Sequence, residues 1–79
     1  MDIETMMIQL DQDLQELAEQ YDGAADNELQ WALGAPDAEQ TRMHTENVVH
    51  NRMMAVMYRK MAEQAKSLVE TYAEDYYAG

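Results

Sequence analysis

Residues 2–22 read DIETMMIQLDQDLQELAEQYD, and the spacing of their apolar side chains decides the fold. Ile3, Met7, Leu10, Leu14, Leu17 and Tyr21 are separated by 4, 3, 4, 3 and 4 positions, the a/d alternation that keeps one stripe of a helix apolar. Asp2 suits the N-cap, where a carboxylate accepts from the free N–H groups of the first turn, and Gly23 suits the position just past the helix end. The stretch is predicted to be an amphipathic helix about 30 Å long. Outside its stripe it is acidic or amide nearly everywhere, with Ile8 as the apolar exception.

Gly and Pro fall only at Gly23, Gly34, Pro36 and Gly79, dividing the chain into three segments. Asp26–Leu33 reads as a short helix or a structured turn, capped by Asp26 and closed by Gly34. Pro36 suits the first turn of the next helix, with Ala35 as a weak N-cap and Asp37 and Glu39 near its positive end. From Asp37 to Tyr77 the pattern predicts one long helix of about 60 Å, with Thr41–Asn47 as the place for a kink. Its expected seam is His50, Met54, Met57, Met61, Leu68, Tyr72 and Tyr76, whose later members follow an eleven-residue repeat. The fold class is therefore all-α: a single domain over residues 1–79, with a short acidic helix, a short connector and a long C-terminal helix. The first helix covers only half of the third segment. Either the chain folds back near residue 45 into a bundle, or a second copy covers the remainder; the mismatch favours a homodimer.

Charge is distributed as unevenly as length. Residues 1–41 hold eleven carboxylates and no Lys or Arg, residues 42–79 hold five of each sign, and the net charge is −11. Such a field repels nucleic acid and anionic membrane and attracts basic surfaces. There is no Cys, hence no disulfide or thiolate site. No apolar run approaches a membrane span, and the acidic start Met1-Asp2-Ile3-Glu4 is unlike a signal peptide, so the expected location is the cytoplasm, or a host's cytoplasm if the chain is phage-encoded.

Several chemistries have partial signatures. Glu16/Glu19 and Glu19/Asp22 have the E-x-x-E and E-x-x-D spacings of all-α nucleotide pyrophosphohydrolases, but no second set follows on another helix. His44, Glu46 and His50 lack the E-x-x-H and HExxH patterns of helical metal sites. The expectation is no metal, no cofactor and no enzyme activity, with His44 exposed and His50 partly packed in the seam. In a dimer seam, protonated His50 would weaken association below about pH 6.5. Arg52, Arg59 and Lys66 are spaced seven apart and are expected to meet an acidic flank of the first helix. The methionines Met53, Met54, Met57 and Met61 read as core, and Tyr77 lies off the seam.

Two resemblances extend this reading. Trp31-Ala-Leu-Gly34, between two helical segments, is similar to the turn of the small WXG helical-hairpin proteins, with W-x-x-G in place of their W-x-G. The whole chain, small, Cys-free and strongly acidic, resembles phage-encoded inhibitors of host defence, the anti-restriction and anti-CRISPR proteins that imitate DNA. That resemblance implies a non-enzymatic inhibitor occupying the nucleic-acid-binding surface of a basic partner protein or effector complex, without contacting nucleic acid or membrane itself. The residues expected to make the contact are Asp11, Asp13, Glu16, Glu19, Asp22, Asp26 and Glu28. The alternative is a helical dimerisation scaffold or adaptor whose acidic face serves solubility.

Overall fold

Two long helices packed antiparallel form the molecule, joined by a four-residue turn at 34–37. The computed structural model describes the backbone of residues 2–78, and their side chains apart from Ile3, Val69 and residues 72–78. Helix α1 spans Ile3–Leu33 and α2 spans Ala38–Ala78. The chain makes a narrow rod of 63 × 17 × 11 Å.

The helix starts follow from local hydrogen bonding. Asp2 caps α1 by accepting from the Thr5 backbone N–H at 2.7 Å, which holds its carboxyl below the usual value and satisfies a free donor of the first turn. Asp37 does the same for α2, accepting from the Gln40 N–H at 2.8 Å. The cap of α2 is thus Asp37 rather than Ala35, because only Asp37 offers a side-chain acceptor at the right spacing.

Gly23 does not end α1. Its φ is negative, and the helix continues through Asp26–Leu33, so the expected separate second segment is the last part of α1. The helix ends at Gly34, whose N–H donates to the Gln30 carbonyl at 3.1 Å. A Cβ built on Gly23 meets nothing within 4 Å, so nothing in the packing requires glycine there. Gly23→Ala is expected to stabilise the fold by about 0.5–1 kcal/mol, through helix propensity and a less free unfolded chain. A raised urea midpoint with unchanged slope checks this. A lowered midpoint would mean that Gly23 does more than interrupt the pattern.

The helices are closer in length than the sequence suggested, 31 and 41 residues, and the fold-back lies at the Gly34–Asp37 turn, not near residue 45. Thr41–Asn47 is unbroken helix; Thr41 and Thr45 hydroxyls donate to the carbonyls four residues earlier, at 2.9 and 2.7 Å.

The core is made of alanine: Ala18, Ala25 and Ala32 on α1, and Ala55, Ala62 and Ala65 on α2, are buried, and among the described residues no large side chain is fully buried. Half-buried residues complete a seven-residue pattern on each helix. On α1 they are Met7, Asp11, Leu14, Tyr21 and Glu28; on α2, His44, Val48, Asn51 and Tyr58. The seam of α2 is therefore a heptad one position beyond the expected row. His50, Met57, Met61 and Leu68 are exposed and Met54 is half-buried, so they do not form the core between these two helices. The physical reason is bulk. Alanine at every seventh position lets two helix axes approach near the lower end of the usual range of about 8–10 Å, which a methionine row would prevent. The side chains of Tyr72, Tyr76 and Tyr77 lie outside the described residues.

Candidate functional site

The seam divides the rod's surface into two broad faces. Residues immediately following Tyr21, Asn51 and Tyr58 lie on one of them, and they are charged. Arg52 donates to Asp22 at 2.9 Å and to Asp26 at 2.6 Å, and Arg59 donates to Asp22 as well. The two guanidinium groups, Arg59 first and then Arg52, hold the Asp22 carboxyl below its ordinary value. Asp22 and Asp26 in turn push Arg52 upward. The stack of Tyr21 on Tyr58, centroids 5.6 Å apart, fixes the same register from inside the seam. This arrangement matches the expected meeting of the basic row with an acidic flank for Arg52 and Arg59. The third member, Lys66, lines a shallow hollow of about 130 Å³ with Met7, Ile8 and Asp11.

A carboxylate with a depressed folded-state pKa stabilises the fold above its unfolded value, near 3.8 for Asp, and loses that contribution as pH falls through the folded value. Neutralising the many unpaired carboxylates acts in the opposite direction by relieving repulsion, so the informative quantity is a difference. The gap in thermal midpoint between wild type and Asp22→Asn is expected to be largest near pH 7 and to close as pH falls below about 4. A gap that stays constant from pH 7 to pH 3 would show that Asp22 acts by shape and not by charge.

At the turn end, His44 and Glu28 form a pair with Nδ1 2.6 Å from Oε2. The Trp31 ring lies 5.8 Å from that of His44. His44 is half-buried in the seam rather than exposed, while His50 is exposed. The two residues of the His44–Glu28 pair lie sixteen positions apart, and no local motif marked them; only the register between helices brings them together.

These contacts divide the seven acids singled out from sequence. Asp22, Asp26 and Glu28 are engaged within the chain by Arg52, Arg59 and His44. Asp11 is half-buried beside Gln15, whose amide lies 3.4 Å from it. Asp13, Glu16 and Glu19 are exposed on the outer side of α1, and among the described residues none of them takes part in an ion pair. The outward surface of α1 is therefore a strip of carboxylates interrupted by amides (Gln9, Gln12, Gln20) with no base beside it.

Among the described residues, no group of three or more His, Asp or Glu is placed to hold a metal ion, and no helix is long and apolar enough to cross a membrane. Comparison with protein-family models, with curated proteins and with solved structures finds no match to this chain.

Proposed function

We propose that this protein is a non-enzymatic binding module that places the acidic outer surface of α1 against a basic, nucleic-acid-binding surface of a partner protein and so inhibits it. The observation supporting this reading is that Asp13, Glu16 and Glu19 are exposed and, among the described residues, unpaired, although two of the chain's five bases are spent on Asp22 and Asp26. A surface built only for register would have paired its acids. Asp13, Glu16 and Glu19 follow one another at intervals of three residues, about 4.5 Å of helix rise, on a rigid element. Duplex DNA presents a charge per about 1.7 Å of axis, so the strip is sparser than DNA but ordered in the same linear way. The DNA-imitating inhibitors of host defence, anti-CRISPR proteins among them, are the functional class that this arrangement fits best, with phage origin and a host-cytoplasmic partner as its corollary.

The competing reading is a helical dimerisation scaffold whose acids serve solubility. It is favoured by one observation, the apolar side chains exposed along both helices. Capture from bacterial lysate on immobilised protein separates the two. The inhibitor reading expects basic proteins to bind at about 50 mM salt, to elute at 0.5 M as screening shortens the Debye length, and to be displaced by added duplex DNA. Capture that ignores both salt and DNA would leave the scaffold reading.

A further inference from the structure

We infer that the face opposite the ion pairs is a homodimer interface, on which two hairpins pack with their two-fold axis parallel to the helices, giving an antiparallel four-helix bundle. The inference does not depend on what α1's acids bind.

The positions one before Asp11, Ala18, Ala25 and Ala32 on α1, and one before Val48, Ala55, Ala62 and Val69 on α2, define this face. They are Leu10, Leu17, Ala24 and Trp31 on α1, and Asn47, Met54, Met61 and Leu68 on α2. No charged side chain interrupts either row. Leu17 and Met54 are half-buried, while Leu10, Trp31, Met61 and Leu68 are 43, 57, 41 and 50 % exposed. Exposed large apolar side chains aligned on one uncharged face of both helices mark an interaction surface.

Three features select a second copy as the occupant. The first is size: the broad side of the rod, 63 by 17 Å, has a footprint of about 1,000 Å², enough for the roughly 800 Å² per partner of a standard interface. The second is what the single hairpin lacks. Its buried core is alanine, and a chain of this length with so little buried apolar volume needs additional burial from a partner. The third is charge. The opposite face carries Asp22, Asp26, Arg52 and Arg59, and packing a copy there would desolvate ions. Only the uncharged face lets two chains of net charge −11 approach.

Charge also chooses between the two symmetric ways of stacking the hairpins. Helix α1 carries eight carboxylates and no base; α2 carries six carboxylates and five bases. A two-fold axis perpendicular to the helices would lay α1 on α1. An axis parallel to them lays α1 of each copy on α2 of the other, and every neighbouring pair of helices is then antiparallel, as in up-down bundles. The α1 rim of one copy (Asp13, Gln20, Asn27) then lies beside the α2 rim of the other (His50, Met57, Gln64). This axis keeps each residue at its own height, and Leu17 and Met61 stand at similar heights in the hairpin, so Leu17 of one copy faces Met61 of its partner.

Light scattering should return twice the chain mass of 9.1 kDa at about 100 µM, and half that value for Leu17→Glu and Met61→Glu. Met53→Glu, on the outer side of α2, should leave the mass unchanged. Because the Glu variants could fail to fold once separated, a second measurement uses the absence of native Cys: oxidising a mixture of L17C and M61C chains should give the mixed disulfide in preference to either homodimeric disulfide. A single-chain mass for the wild type overturns the inference and transfers the face to a partner of different sequence. A doubled mass that survives both Glu substitutions overturns it too. Homodimeric L17C or M61C disulfides in excess over the mixed product overturn the parallel axis.

Discussion

Replacing Ala25 with leucine should unfold much of the protein at temperatures where the wild type is intact. Ala25 is fully buried at the middle of α1, where the helices are held at a separation set by methyl groups. Leucine adds three heavy atoms that neither helix can accommodate without moving, and overpacking of this kind costs about 1–3 kcal/mol. In a domain of this size that corresponds to a fall in midpoint on the order of 10 °C. The forced separation would also stretch the Arg52 bridge between Asp22 and Asp26, which needs both carboxylates within reach of one guanidinium. Gln30→Leu, an exposed position in the same helix, should change stability by no more than about 0.5 kcal/mol. Circular dichroism melts of the two variants test the alanine seam, and equal melts would contradict it.

The triple substitution Asp13→Lys, Glu16→Lys, Glu19→Lys should abolish capture of basic partners while leaving the fold in place. Each exposed interfacial charge pair contributes about 0.5–1 kcal/mol, and reversal adds repulsion to the loss, so three together amount to about 3 kcal/mol, or on the order of 100-fold in affinity. Among the described residues none of the three forms an ion pair within the hairpin, and Asp13 stands only at the rim of the dimer face, so helical content should hold. Reversing Asp22 in the same assay would mix two effects, because it also disrupts the Arg52 and Arg59 contacts. If the triple variant binds as the wild type does, the acids of α1 serve solubility.

The sequence made the helices legible but not their inner faces. Met7, Leu14 and Tyr21 stood out because they are large, and they do flank the seam. Ala18, Ala25 and Ala32 repeat every seven residues on α1, and Ala55 and Ala62 share that spacing on α2, yet alanine carries so little hydrophobic weight that a search for large apolar residues passes over it. On α2 the methionine row outweighed the alanine row for that reason, whereas the row buried against α1 lies one position beyond it. Gly23 misled in a similar way: glycine usually marks a helix end, but both flanks continue the heptad and tertiary packing holds the helix through it. The acidic strip was readable because charge needs no partner to be counted. Which acids remain available was not readable, since that depends on a register set by residues thirty positions apart, such as Asp22 and Arg52.

The slender shape has a hydrodynamic consequence. The radius of gyration is 18.1 Å, a value that a compact chain reaches only at about 250 residues. In gel filtration a single hairpin would therefore elute well ahead of a sphere of equal mass. Two hairpins stacked side by side would thicken the rod without lengthening it, so association should change the elution volume much less than it changes the mass. Retention time is thus a poor counter of copies for this molecule, and sedimentation equilibrium or light scattering, which weigh particles irrespective of outline, are the suitable ones.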